Sequence, residues 1–422
     1  MRSAAKLQLS IMMFLQFFIW GGWFVTLGSY LTTALGTSGS QTAMAYSSQS
    51  WGALVAPFFV GLIADRYFNA ERVLGVLHLV GAALMYRLYW ARQFADFYPY
   101  VLAYMIVYMP TIALANSIAF RHLETARSQF SRIRVWGTVG WIVAGLIISY
   151  VFAWDSPDAL AHGMLRNTFL VCSAASLLLG LFSFALPATP PKTAIKQVPT
   201  LRRVGGWDAL MLLRDRNFVL FFVASILICI PLAFYYQNAN QFLTELRETN
   251  ATGKQTIGQA SEVLFMLAIP FFLNRLGMKV TLLLGMLAWT VRYLLFAFGN
   301  AEDAAFLLLL GIALHGVCYD FFFVSGQIYT DSKAGERYKS SAQGMLTLAT
   351  YGLGMLIGFH VAGLITDLYA TGKMHDWHSI WLYPAAFAAL IFVAFALSFR
   401  NDALSIPTRE NAPRDCVAHR QL

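Results

Sequence analysis

The sequence predicts an all-α membrane protein of twelve transmembrane helices arranged in two six-helix bundles. Three observations carry that expectation. Of the 422 residues, 58% are hydrophobic and only 12% charged, outside the range of ordinary soluble domains. Apolar runs of about 20 residues, the length a helix needs to cross a hydrocarbon core of roughly 30 Å, recur along the whole chain. The longest polar break, "PATPPKTAIKQVPTLRRVGGWDALMLLRDR", is rich in Pro, Lys and Arg and divides the runs six and six.

The runs place helices near residues 10–31, 42–64, 72–92, 98–120, 132–153 and 166–186, then 217–242, 255–274, 279–298, 304–329, 340–366 and 379–399. The first, from Ser10 to Leu31, is too long for a signal-peptide core and ends without a small-x-small cleavage site, so it reads as a retained span. With the N-terminus in the cytoplasm, 23 of the 30 Lys and Arg fall in cytoplasmic segments, five in outer loops, and Arg87 and Arg292 within helices. The positive-inside rule then makes both termini and the central loop cytoplasmic. The net charge of +9 is accounted for as a topology signal, without nucleic acid as a partner. The expected domains are an N-terminal bundle over residues 1–190, a cytoplasmic linker over 191–216, a C-terminal bundle over 217–400 and a tail over 401–422. Cys172, Cys229, Cys318 and Cys416 have neither metal-ligand spacing nor a disulfide framework. No H-E-x-x-H, G-x-S-x-G or clustered His ligands occur, so the chain is not expected to be an enzyme or to need a metal or cofactor.

Two six-helix halves joined by a basic linker resemble the secondary transporters of the major facilitator superfamily, whose halves are nested inverted repeats. The loop after the second run adds to this. In "GLIADRYFNAER", Gly61, Asp65, Arg66 and Arg72 resemble the superfamily's G-x-x-x-D-R loop with its trailing arginine, a cytoplasmic gate motif. The plain alternative is an ordinary positive-inside loop.

Polar residues at membrane depth are costly and usually line a protein interior or a hydrated path. Most lie in the second half. Gln259 and Glu262 are three apart on the eighth run and so share a face. Asp320 sits at comparable depth on the tenth, beside Tyr319 and one turn beyond His315. Tyr236, Gln237 and Asn240 on the seventh follow i, i+1, i+4 spacing, with Pro231 nearby as a helix breaker. On the fifth, Arg134, Thr138 and Trp141 follow i, i+4, i+7 spacing, while Gly137 and Gly140 permit close packing of the neighbouring face. Gln16, Trp20 and Trp23 share a face of the first. Aromatic faces suit a flat heterocycle, amides and carboxylates suit ring edges and hydroxyls, and a buried carboxyl can exchange a proton near physiological pH. Two bland readings stand beside these. Arg292 could form a fixed ion pair with Glu262 or Asp320, and Arg134 could merely snorkel to the cytoplasmic surface.

Taken together, "LQFFIWGGWFVTLGSY", "YMPTIALANSIAF", "RIRVWGTVGW", "SEVLFMLAIPFF", "YDFFFVSG" and "SAQGM" resemble the nucleoside:proton symporter family of that superfamily. "PPK" after the sixth run and "PLAFYYQNANQFLTE" are most like a branch of it provisionally named as nucleoside transporters. The resemblance implies a central cavity that binds a nucleoside between the halves, with the proton gradient as driving force. It implies substrate-binding roles for Arg134, Thr138, Trp141, Gln259, Glu262, Tyr319 and Asp320, with His315 where the family has a tyrosine. Positions at which uridine-type members carry a glutamine and an asparagine read Ala233 and Tyr236, and Gln237 could replace part of that hydrogen bonding.

The expected activity is therefore proton-coupled nucleoside uptake by alternating access, in a monomer of the bacterial inner membrane. Glu262 and Asp320 are the expected proton-coupling groups. Two alternatives remain open from sequence: a proton symporter for a sugar or modified nucleoside, and a transporter-like receptor that binds nucleoside without moving it.

Overall fold

A computed structural model describes residues 3–59, 67–122, 126–191, 207–372 and 374–400. Ser3–Phe24 (α1) and Leu27–Leu35 (α2) form one run with a slight break, followed by Gly39–Phe59 (α3), Ala70–Trp90 (α4), Phe94–Arg121 (α5) and Ala126–Leu146 (α6). A π-helical turn, Ile147–Val151, extends α6, and the short Pro157–Ala161 (α7) leads to Asn167–Ser183 (α8). The second half comprises Arg216–Glu245 (α9), Ala251–Phe298 (α10), Ala305–Ala313 (α11), His315–Tyr319 (α12), Ser325–Thr347 (α13), Met355–Leu368 (α14) and Trp377–Ser398 (α15). Wider π-helical turns, Asp320–Val324 and Leu348–Gly354, precede α13 and α14. The only strands among the described residues form a short antiparallel ribbon pairing Ala370 with His375 and Thr371 with Met374.

Ten described stretches are long and apolar enough to cross a membrane. One of these, α10, has 48 residues, far more than a crossing of roughly 30 Å requires at 1.5 Å per residue. It breaks at Gly277, whose φ of 77° lies where a side chain would be strained. Helix α3 is not among the ten, because it carries Thr42, Ser47, Ser48, Gln49 and Ser50, all turned inward. The seventh run holds as a single helix through Pro231, whose carbonyl accepts a hydrogen bond from the Tyr293 hydroxyl.

Helix α1 packs on α6 and α8, α4 on α5 and α8, and α3 on α5. In the second half α10 packs on α11, α12 and α15, and α9 on α14 and α15. Gly140 explains the closeness of α1 and α6: a Cβ there would collide with the Phe14 carbonyl. The two groups of helices meet along three seams, α3 with α14, α6 with α10, and α2 with α9.

Carboxylates fasten two of these seams at their ends. Asp367, near the end of α14, accepts from the backbone N–H groups of Gly39 (2.5 Å) and Ser40 (2.9 Å) and from the Ser40 hydroxyl. Buried Asp155, beyond α6, accepts from the Thr252 N–H at 3.0 Å and from the Ser149 hydroxyl. Ser149 Oγ in turn accepts from the Gly253 N–H at 2.7 Å. The amides at the start of α3 and of α10 have no partner within their own helices and carry the positive end of the helix dipole, so a carboxylate satisfies both needs. On the third seam the Ser29 hydroxyl donates to Asn240 Oδ1 at 2.6 Å.

Asp215 caps α9 from outside the membrane-spanning segment. It accepts from the Asn217 and Phe218 N–H groups at 2.8 and 3.1 Å, and its other oxygen lies 2.7 Å from Lys333 Nζ. Partial burial raises its pKa, but Lys333 and the two amides outweigh that and hold the carboxyl below its usual value.

Replacing Asp155 or Asp367 by Ala removes a helix cap worth about 0.5–2 kcal/mol, so each variant should melt at a lower temperature in detergent. Unchanged midpoints for both would show that the caps do not hold the seams. For Asp215 the sign follows from its lowered pKa. Its stabilisation is full above the ordinary carboxylate range, about pH 4, and fades as pH falls through the lowered value. Asp215→Asn should therefore melt below wild type near neutrality and converge with it in acid.

Candidate functional site

Between the two groups of helices lies a cavity of about 20 Å³, walled by Phe24, Val25 and Trp141 from the first half and by Tyr235, Tyr236, Gln255 and Gln259 from the second. It has room for about one water molecule, so this cavity must widen to take any larger solute.

The α6 stripe is assembled as its spacing predicts. Arg134 lays its guanidinium 3.9 Å from the centre of the Phe17 ring. It is turned inward, not snorkelled outward. Thr138 is half-buried one turn on. Trp141 reaches the cavity wall, edge-on to Trp20 with ring centres 5.6 Å apart. Gln16 has a different task from its neighbour Trp20. It is fully buried, donates to Thr111 Oγ1 at 2.7 Å and meets His78 Nε2 at 2.8 Å, within the first half.

On α9 the expected cluster separates. Tyr236 lines the cavity, edge-on to Phe24. Gln237, one residue later, is rotated to the α3 seam: it is fully buried, its amide points at the Gly39 carbonyl 3.5 Å away, and Oε1 has no partner. It is not among the residues that wall this cavity. Ala233 packs against the Gly358 position of α14, so α9 gives the cavity two tyrosines and no amide. Asn240 donates to Thr252 Oγ1 at 3.1 Å and to Gln255 Oε1 at 2.7 Å, holding Gln255 in place. Gln255 was the residue to find from sequence. Gln255, Gln259 and Glu262 follow i, i+4, i+7 spacing and form one stripe of α10.

Glu262 keeps 19% of its side chain exposed, and its Oε2 lies 3.9 Å from His315 Nε2. The other ring nitrogen of His315, Nδ1, is 3.0 Å from Arg292 Nη1. Arg292 is fully buried and stacked 3.5 Å over the Tyr235 ring. It pairs directly with neither Glu262 nor Asp320, contrary to the fixed ion pair weighed from sequence; its partners are an imidazole and an aromatic face. Tyr319, beside the His315 ring, shares a 2.5 Å hydrogen bond with the Tyr351 hydroxyl. Asp320 stands apart from this group. It is fully buried in the π-helical turn packed on α10, and neither carboxylate oxygen has a hydrogen-bond partner. Among the described residues, no group of three His, Cys, Asp or Glu side chains could hold a metal ion.

Of the cytoplasmic gate motif, Gly61, Asp65 and Arg66 lie outside the described residues. Arg72 is exposed at the start of α4. Its neighbour Glu71 is buried and accepts from the Asn69 amide (2.9 Å) and the Thr189 N–H (2.8 Å), tying α4 to the segment after α8.

Residues 3–403 match the family model described as nucleoside H+ symporter. The chain is 42% identical over 426 residues to YegT of Escherichia coli (strain K12), covering 98% of each. It is 32% identical to the nucleoside permease NupG of the same organism, over 96% of this chain and 98% of that one. It is 33% identical to the xanthosine permease of that organism, over 93% and 96%. The crystal structure of the nucleoside transporter NupG superposes with a TM-score of 0.84 at 30% identity, over 95% of this chain and all of the other. The helical arrangement is that of the major facilitator superfamily.

The difference between the two acids is measurable. In a background without the native cysteines, Glu262→Cys should react with a small polar thiol reagent much faster than Asp320→Cys. Equal rates would show that both positions are reached alike.

Proposed function

We infer that this chain, which belongs to the nucleoside H+ symporter family, takes up nucleosides together with protons across the bacterial inner membrane. Glu262 carries this reading. It is the carboxylate on the second half's polar stripe that remains partly open, 3.9 Å from His315 Nε2.

The chain crosses the membrane twelve times: α3 and the second arm of α10 add to the ten apolar stretches. Both termini lie in the cytoplasm, with residues 1–190 and 217–400 as the moving bundles and 191–216 as their linker. The end fastened by Asp155 and Asp367 is then the outer one, since it follows the first, fifth, seventh and eleventh crossings. In the state described here the outer gate is shut. Opening requires the carboxylates to leave the helix ends of α3 and α10, after which the cavity widens between Trp141 and Tyr236. Those rings stack a flat base, while Gln255 and Gln259 offer donors and acceptors for its edge or for ribose hydroxyls. Proton binding at Glu262 removes a negative charge from between the halves and alters what Arg134 and His315 face, which links protonation to the rocking motion. Asp320 is the second proton-exchanging group, reached only when α10 and the π-helical turn separate. The protein works as a monomer with no cofactor, and the gradient supplies the energy.

The test is uptake by proteoliposomes of purified protein. With acid outside, labelled nucleoside should accumulate above equilibrium, and collapse of the gradient should return it to equilibrium. Unlabelled nucleosides should compete and sugars should not. Binding without movement, or accumulation indifferent to the gradient, would overturn the assignment.

A further inference from the structure

Arg292 is a fully buried charge of the second half, and the transport reading gives it no role. Its side chain is fully buried, Nε and Nη2 have no hydrogen-bond partner, and it lies over Tyr235 at 3.5 Å with Trp289 and Phe296 at 5.7 and 5.6 Å. Aromatic faces offset part of the cost of burying such a cation. Its Nη1 lies 3.0 Å from His315 Nδ1, and the Cys318 thiol lies beside the same guanidinium.

A guanidinium has donors and no acceptor. Nδ1 of His315 must therefore accept, which leaves its proton on Nε2, and Nε2 is the atom 3.9 Å from Glu262 Oε2. We propose that Arg292 is a positioning residue for proton coupling: it locks His315 in the neutral tautomer whose Nε2–H points at Glu262. His315 then holds an N–H toward the carboxylate, 3.9 Å away in this state and within donating reach only once the two helices close up, and does not itself carry the transported proton. It cannot take a second proton without surrendering the Arg292 hydrogen bond. The titratable and charged groups around this pair are Glu262, Tyr235 of α9, stacked on the imidazole at 5.3 Å, Tyr319 beside the His315 ring, and Tyr293 and Cys318 near the guanidinium. None of them displaces Arg292 from Nδ1. The inference rests on Glu262 being the proton-exchanging carboxylate.

Two measurements test it on the full-length protein. In ¹⁵N-histidine spectra, the resonances missing from His315→Gln identify His315. They should show a protonated Nε2 and a bare Nδ1 from pH 5 to pH 8. In Arg292→Met the Nδ1–H tautomer or the doubly protonated ring should appear. A bare Nε2 or an imidazolium in the wild type, or an unchanged spectrum in Arg292→Met, overturns the proposal. Transport supplies the second readout. The amide of His315→Gln offers an acceptor for Arg292 and a donor for Glu262 but cannot titrate, so whatever its uptake rate this variant should still accumulate nucleoside above equilibrium, with an unshifted pH profile. His315→Leu should lose that accumulation. If His315→Gln exchanges nucleoside but no longer accumulates it, His315 is a proton carrier and the proposal is wrong. Should Arg292→Met fail to fold, the wild-type spectrum and His315→Gln still decide. Absence of gradient-driven uptake by the wild type would instead count against the transport assignment, with the tautomer result standing separately.

Discussion

A carboxylate set among the first amides of a helix satisfies both partners, and this chain does so twice across its central division. Asp367 joins α14 to the start of α3, and Asp155 joins the end of α6 to the start of α10. The two arrangements correspond under the exchange of halves, as expected for a fold built from repeats. Such contacts are directional and breakable. They differ from the Gly140–Phe14 approach inside a bundle, which has no alternative partner when helices part. A seam held by polar caps can be exchanged for water, whereas a seam of interlocked apolar side chains cannot be opened at comparable cost.

The polar groups deeper in the protein follow a graded pattern. Gln16, His78 and Thr111 satisfy one another inside the first half. Asn240 is shared among Ser29, Thr252 and Gln255 and so connects the seam to the cavity wall. Glu262 is only loosely committed, with an imidazole of its own half 3.9 Å away. An ionisable group left partly unsatisfied at a moving interface is what a coupling step requires. A tightly paired carboxylate would have one preferred state throughout the cycle.

Much of this was readable from sequence, for identifiable reasons. Crossing helices announce themselves by length and hydropathy, and the Arg134–Thr138–Trp141 stripe by helical period. Where spacing was read too loosely, it failed: Tyr236 and Gln237 are adjacent, yet one lines the cavity and the other turns to α3. The missing Glu262–Arg292 pair illustrates another boundary. Sequence shows that two opposite charges share a depth, but not that His315 stands between them. Asp155 and Asp367 gave no signal because acidic residues in loops normally face solvent, and their amide partners lie 97 and 328 positions away. Gln255 was legible in principle, since it extends the Gln259–Glu262 stripe by one turn.

The claim on which the account turns is that Glu262 gives and takes the proton that drives accumulation. Comparing Glu262→Gln with wild type in nucleoside-loaded proteoliposomes tests it most directly, with exchange at equal pH measured alongside uptake under an imposed gradient. The account predicts that the amide variant still exchanges nucleoside across the membrane but no longer concentrates it. Gradient-driven concentration by Glu262→Gln at the wild-type level would contradict it.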